Sequence, residues 1–137
     1  MNGRILEKYT SRSAADADGT IAQDEIGGVD DVGCFGWVRG IRDRAICVEL
    51  RQENGNIVAI PYHGIERFEF DPSEGISLTV SGKKIRLRGR NLNAEVQSTI
   101  RLFEGLARHR VPWIREVSQS ESASMEDNAT VIDSIQW

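Results

Sequence analysis

Hydrophobic and polar positions alternate with a period of two through the middle of the chain. Ile46, Val48 and Leu50 alternate with Cys47, Glu49 and Arg51, the pattern of a strand with one buried face. Asn54-Gly55 follows, and an Asn-Gly pair supplies the positive φ values of a tight hairpin turn. Residues 57–60 then read as the return strand, ended by Pro61, which has no N–H to give to a ladder. Alternation resumes over residues 65–70, with Phe68 and Phe70 on one face. Asp71-Pro72-Ser73-Glu74-Gly75 is a turn by composition. Ile76, Leu78 and Val80 point inward on the next strand, Ser81-Gly82 turns, and Ile85 and Leu87 point inward on the last. With residues 33–40 as a first strand, these six short strands predict an antiparallel meander.

The period changes to 3.6 at Leu92. Val96, Ile100, Phe103 and Leu106 or Ala107 share one stripe, with Arg101, Glu104 and Arg108 elsewhere. Asn91 or Asn93 can cap the start, Arg108, His109 and Arg110 suit the dipole at the end, and Pro112 stops the element. A helix over 92–110 follows, packed on the sheet because one amphipathic helix does not stand alone. The predicted fold is mainly β (α+β): a six-stranded antiparallel meander over 33–90, forming a small barrel or bent sheet, followed by one C-terminal amphipathic helix.

The flanks differ in pattern. Residues 10–32 are rich in Ala, Asp and Gly and short of large apolar side chains, and read as extended or irregular. Residues 118–128 are Ser- and Glu-bearing and read as mobile. Val131, Ile132, Ile135 and Trp137 then return apolar character to the end, either docking on the chain's own domain as an edge strand or forming a linear motif for a partner. The chain thus divides into an acidic arm (1–32), a sheet-plus-helix domain (33–115) and an acidic tail with an apolar end (116–137).

Charge sharpens this division. The 137 residues carry 17 Lys+Arg and 21 Asp+Glu, a formal net charge of −4. Residues 39–115 hold 14 basic and 9 acidic side chains, while residues 116–137 hold five acids and no Lys or Arg. A basic centre therefore lies between acidic flanks, and local potential, not the bulk value, decides what it attracts. No apolar run reaches the roughly 18 residues of a membrane span, and no secretory leader pattern is visible, so a cytoplasmic protein without membrane contact is expected.

The strongest candidate chemistry is the run Lys83-Lys84-Ile85-Arg86-Leu87-Arg88-Gly89-Arg90. On a strand, Lys84, Arg86, Arg88 and Arg90 share one face and Ile85 and Leu87 the other. Such a face contacts phosphates of nucleic acid or another polyanion, or it is answered by Glu49, Glu66 and Glu69 on neighbouring strands. Asp16, Asp18, Gly19, Ile21 and Glu25 follow the spacing of a calcium loop, but Ala14 stands at its first ligand position. His63 reads as a turn residue and His109 as a capping charge. Cys34 and Cys47 read as small apolar residues. No metal-ligand spacing, nucleophile elbow or phosphate loop is present, so no cofactor, metal or catalysis is expected.

Two resemblances are local and a third is one of topology. Asp71-Pro72-Ser73-Glu74-Gly75 resembles the Asp-x-Ser-x-x-Gly signature of PilZ barrels, one residue short and with no Arg-x-x-x-Arg ahead of it. Phe70-Asp71 with Gly75-Ile76-Ser77-Leu78, and Arg88-Gly89-Arg90-Asn91-Leu92, are similar to the two motifs of the Sm-like family of RNA-binding β-barrels. That resemblance implies an RNA-binding ring with Asp71, Arg88 and Asn91 at the base site, although Gly75 replaces the family's Asn and the helix follows the strands. A meander followed by one helix also resembles pleckstrin-homology-like barrels, as do residues 61–66 and 82–87.

The functional expectation is a non-catalytic binding module. Its basic strand face, Lys84, Arg86, Arg88 and Arg90 with Asn91, engages an anionic protein or nucleic-acid partner. The alternatives are an Sm-like ring, which would be a homo-oligomer, and an assembly protein acting through Val131, Ile132, Ile135 and Trp137.

Overall fold

The computed structural model describes residues 28–137. The N-terminal arm up to residue 27, including the calcium-loop pattern, lies outside the described residues. The fold is mainly β, with two short helices. The strands are β1 (Val29–Asp31), β2 (Gly36–Val38), β3 (Cys47–Arg51), β4 (Ile57–Pro61), β5 (Arg67–Asp71), β6 (Gly75–Val80) and β7 (Lys83–Arg90), then β8 (Trp113–Arg115) and β9 (Val131–Gln136). Helix α1 spans Leu102–Ala107 and α2 spans Gln119–Ser124. Asp30–Trp37 and Arg44–Trp137 form one compact unit. Within a second unit, Arg39 N–H donates to the Gly28 carbonyl and Asp43 N–H to the Gly40 carbonyl.

The hairpins form where the alternation places them. β3 and β4 pair antiparallel, Val48 against Ile60 and Leu50 against Val58, across the turn containing Asn54 and Gly55. β5, β6 and β7 follow as a meander in which Phe70 faces Ile76, Ile76 faces Leu87 and Leu78 faces Ile85. These rows carry the apolar set of each strand to one face, as a period of two requires.

The strands divide into open sheets, which departs from a single six-stranded meander. One four-stranded sheet has the order β9-β7-β6-β5, and one three-stranded sheet the order β4-β3-β8. β8 runs parallel to β3, with Leu50 beside Ile114, and Phe35 bridges Ile114 on the other side. Side chains of both sheets join one core, in which Phe35, Val48, Leu50, Ile76, Leu78, Leu87 and Ile114 are fully buried. Among the described residues no helix is long and apolar enough to cross a membrane.

The helix expected over 92–110 is corrected to the six residues of α1. Asn91 and Thr99 adopt left-handed backbone (φ 58° and 65°), and Val96 N–H bonds back to the Ile100 carbonyl across a tight turn. Neither conformation can continue a helix. Leu92 and Ile100 still reach the core, carried by turns. Leu102 and Leu106 are buried on α1, and His109 at φ 60° ends it. Arg110 N–H bonds Gly105 O and His109 N–H bonds Leu106 O, the paired closure of a helix C-terminus. His109 stacks on Tyr62 at 4.5 Å. The Tyr62 hydroxyl donates to the Val111 carbonyl at 2.6 Å, and burial pushes its phenol pKa up.

The two cysteines part company. Cys34 is fully buried, with Ile132 N–H 3.5 Å from Sγ, and burial pushes its thiol pKa up; Cys47 is half-buried. Only the thiolate attacks an alkylating reagent. Iodoacetamide is therefore expected to modify Cys47 in the native chain and Cys34 only at the rate of unfolding. Equal native rates, read by mass spectrometry, would contradict the burial of residue 34.

Candidate functional site

The basic run forms β7, and its alternation is retained over most of its length. Ile85 and Leu87 are buried, while Lys84, Arg86 and Arg88 lie on the outer face with side chains 52%, 40% and 49% exposed. The β6 pairing sets Thr79 beside Lys84 and Ser77 beside Arg86, and on β5 Arg67 and Glu69 complete those two rows. The outer face of the four-stranded sheet is polar, as one face of an antiparallel sheet can be.

Among the described residues, two carboxylates serve four cations there. Glu69 meets Arg67 at 3.0 Å and Lys84 at 3.7 Å. Glu74, from the β5–β6 turn, meets Arg88 at 3.3 Å and Arg86 at 4.0 Å. Of the three acids expected opposite this strand, only Glu69 takes that place: Glu49 pairs with Arg51 on its own strand, and Glu66 accepts from Gly82 N–H. Composition had marked Glu74 only as a turn residue, and Arg67 carried no signal. Their approach to β7 depends on register.

Arg90 and Asn91 are spent inside the molecule. The Arg90 guanidinium donates to the Ser122 hydroxyl and carbonyl at 3.3 and 3.2 Å, and reaches the Met125 and Glu126 carbonyls at 3.5 Å. It thereby satisfies carbonyls at the C-terminal end of α2, where positive charge suits the dipole. The Asn91 amide donates to the carbonyls of Asp127 and Ala129, both at 2.8 Å, and the Thr130 hydroxyl donates to the Asn91 carbonyl. The segment read as mobile is thus partly helical and tied down. Ser118 caps α2 by accepting from Glu121 N–H, and Arg115 donates to Glu121 at 2.7 Å, which holds that carboxyl below its ordinary pKa.

Of the two roles read for the apolar end, the structure takes self-docking. β9 pairs antiparallel with β7, and Val131, Ile132 and Ile135 are buried. Trp137 alone of the four keeps an exposed surface, at 50%.

A cleft of about 620 Å³ lies where the β5–β6 turn meets the end of β7, lined by Phe70, Glu74, Gly75, Arg88, Asn91 and Asn93 among others. The two stretches similar to the Sm-like motifs converge here. Gly75 has φ 102°, and an added Cβ would collide with the Leu87 carbonyl, so an Asn could not stand there without moving β7. A neighbouring depression of about 640 Å³ is lined by Glu69, Glu74, Lys84, Arg86 and Phe103. Asp71 at its margin accepts from the Ser73 hydroxyl and amide at 2.8 Å, and those bonds hold its carboxyl low. No protein-family model matches the chain, and no curated protein or solved structure proved similar to it. Function is therefore read from the chemistry of this face.

Proposed function

We propose that the protein is a non-catalytic binding module that engages an anionic partner, protein or nucleic acid, through the outer face of the β5–β6–β7 sheet. One observation carries this reading: among the described residues, Arg67, Lys84, Arg86 and Arg88 share only Glu69 and Glu74, and they remain substantially exposed. Exposed ion pairs of this kind contribute about 0–1 kcal/mol each, so a ligand anion can replace them at little cost. Lys84, Arg86 and Arg88 recur every second residue, about 6.8 Å apart along the strand, which favours an extended partner with regularly repeated negative charge. Arg90 and Asn91 drop out of this site, because their donors hold the tail.

Charge reversal tests it. Arg86→Glu with Arg88→Glu is expected to abolish retention on heparin and binding to a single-stranded RNA oligonucleotide, with the thermal midpoint nearly unchanged. Glu74→Gln, which removes the shared carboxylate, is expected to strengthen both. For a nucleic acid, affinity should fall with salt at a slope of about 0.7 per phosphate contact. An acidic peptide that competes where RNA does not bind would identify a protein partner. Unchanged retention, or a collapsed midpoint, would overturn the reading.

A further inference from the structure

The edge of the other sheet supplies an independent inference. β4 is the terminal strand of the order β4-β3-β8. Gln52 N–H bonds Asn56 O and Tyr62 N–H bonds Ile46 O at the two ends of the hairpin, which fixes the alternation between them. Val58 and Ile60 direct their backbone groups to β3, while Ile57, Ala59 and Pro61 direct theirs to the open edge. Consistently, Glu49 N–H and the Arg51 carbonyl point the other way, to Pro112 O and Glu116 N–H.

The edges formed by β9 and β8 are covered. Along β9, Val117 N–H bonds the Ile132 carbonyl, Glu116 accepts from Ile135 N–H at 2.9 Å, and the Gln52 amide donates to the Ile135 carbonyl at 2.7 Å. Along β8, Arg115 N–H bonds the Cys34 carbonyl. Among the described residues nothing covers β4 in this way, and it lacks the lysine or inward charge with which exposed edges are usually guarded. Its outward side chains are Ile57, 58% exposed, with Ala59 and Pro61, also exposed.

We propose that β4 pairs antiparallel with β4 of a second copy, about a two-fold axis at Ala59, to join the two three-stranded sheets. In that register Ala59 faces Ala59 and Ile57 faces Pro61 of the second copy. The two Ala59 residues exchange N–H to carbonyl bonds, and each Ile57 N–H reaches the opposite Pro61 carbonyl. The missing proline N–H leaves only the Ile57 carbonyls to water. Ile57 packs on Pro61 along the outer seam, and half-buried Val58 comes beside buried Ile60 on the inner side.

Charge selects a second copy as the occupant. No charged side chain stands on β4. The symmetry sends the Arg51 and Arg115 of the two copies to opposite corners, because Arg51 pairs with Ile57 and with Arg115 in one row. The two Glu49 carboxylates come to lie three strand spacings apart, about 14 Å, beyond the Debye length of roughly 8 Å. Each is already neutralised by its own Arg51 at 2.9 Å. An edge of this kind, self-complementary and uncharged, makes an isologous contact that closes at two chains.

Sedimentation of the full chain tests the proposal. Twice the 15.3 kDa chain mass is expected at micromolar concentration, dissociating on dilution. Ala59→Pro removes an N–H that no partner among the described residues uses, and Ile57→Lys places a charge at an exposed position; each should give a folded monomer. In a Cys47→Ser background, Ala59→Cys should cross-link the dimer under oxidised glutathione, since a bonded antiparallel pair sets Cα atoms about 5.5 Å apart, within disulfide range. A monomer at about 100 µM would overturn the proposal. So would a dimer that Ile57→Lys leaves intact, or one that fails to cross-link. Loss of polyanion binding by Arg86→Glu with Arg88→Glu leaves this result untouched, so the two readings fail separately.

Discussion

Deleting residues 131–137 is expected to leave a chain without a cooperative thermal transition. Val131 and Ile132 are 0% exposed and Ile135 is 1% exposed. Fully burying an aliphatic side chain contributes about 1.5–3 kcal/mol, so these three together contribute roughly 5–9 kcal/mol. A whole domain of this size is stable by about 5–15 kcal/mol. The deletion would also strip β7 of its second neighbour and expose the fully buried Leu87, which Ile135 faces. Near-ultraviolet circular dichroism and calorimetry should show loss of fixed tertiary packing. Trp137→Ala, by contrast, removes a half-exposed ring and is expected to leave the transition in place. A truncated chain that unfolds cooperatively within a few degrees of the intact one would show that β9 does not complete the core. There is a consequence for assembly: loss of a partner on truncation at residue 131 would report unfolding, whereas Trp137→Ala tests a terminal contact directly.

That dependence on β9 was only half legible in the sequence. The apolar end looked costly to expose, but a period of two fails across it. The register between β9 and β7 shifts between Ile132 and Ser134, leaving Asp133 as the extra residue, so Ile132 and Ile135 come to one face, while Val131, opposite Arg90, is buried on the other. A bulge of this kind hides a strand from any alternation template. The hairpins were readable because Asn54-Gly55 and the rows Ile76–Leu87 and Leu78–Ile85 agree locally and globally. β8 was not, because three residues carry no period. The stripe from Leu92 to Phe103 misled for a different reason. Turns at Asn91 and Thr99 deliver Leu92 and Ile100 to the core, and burial alone imitates a helical period. At the candidate site, Lys84, Arg86 and Arg88 follow from strand geometry. The withdrawal of Arg90 does not, since its acceptors are mainly backbone carbonyls, which no side-chain pattern announces.

Gly89→Ala should cost far more than a glycine substitution ordinarily does. A Cβ at residue 89 would collide with the Val131 carbonyl oxygen and approach Ile132 Cα to 3.1 Å. Both obstacles are backbone, so no rotamer change relieves them. β9 would have to leave β7, and with it the bulge that brings Ile132 and Ile135 to one face. Overpacking commonly costs about 1–3 kcal/mol, and partial loss of this burial adds to it. A loss of about 3 kcal/mol or more is expected, a fall of roughly 10 °C or more in midpoint. Gly82→Ala separates this steric cause from backbone conformation. Gly82 has φ 79° and open space around its missing Cβ, so its substitution costs only the left-handed backbone, about 1–2 kcal/mol. Gly89 is not among the glycines with positive φ, so its whole cost arises from the approach of β9. Thermal melts of the two variants side by side decide the matter: if Gly89→Ala melts no lower than Gly82→Ala, the close β7–β9 contact that draws Arg90 and Asn91 away from the basic face is wrong.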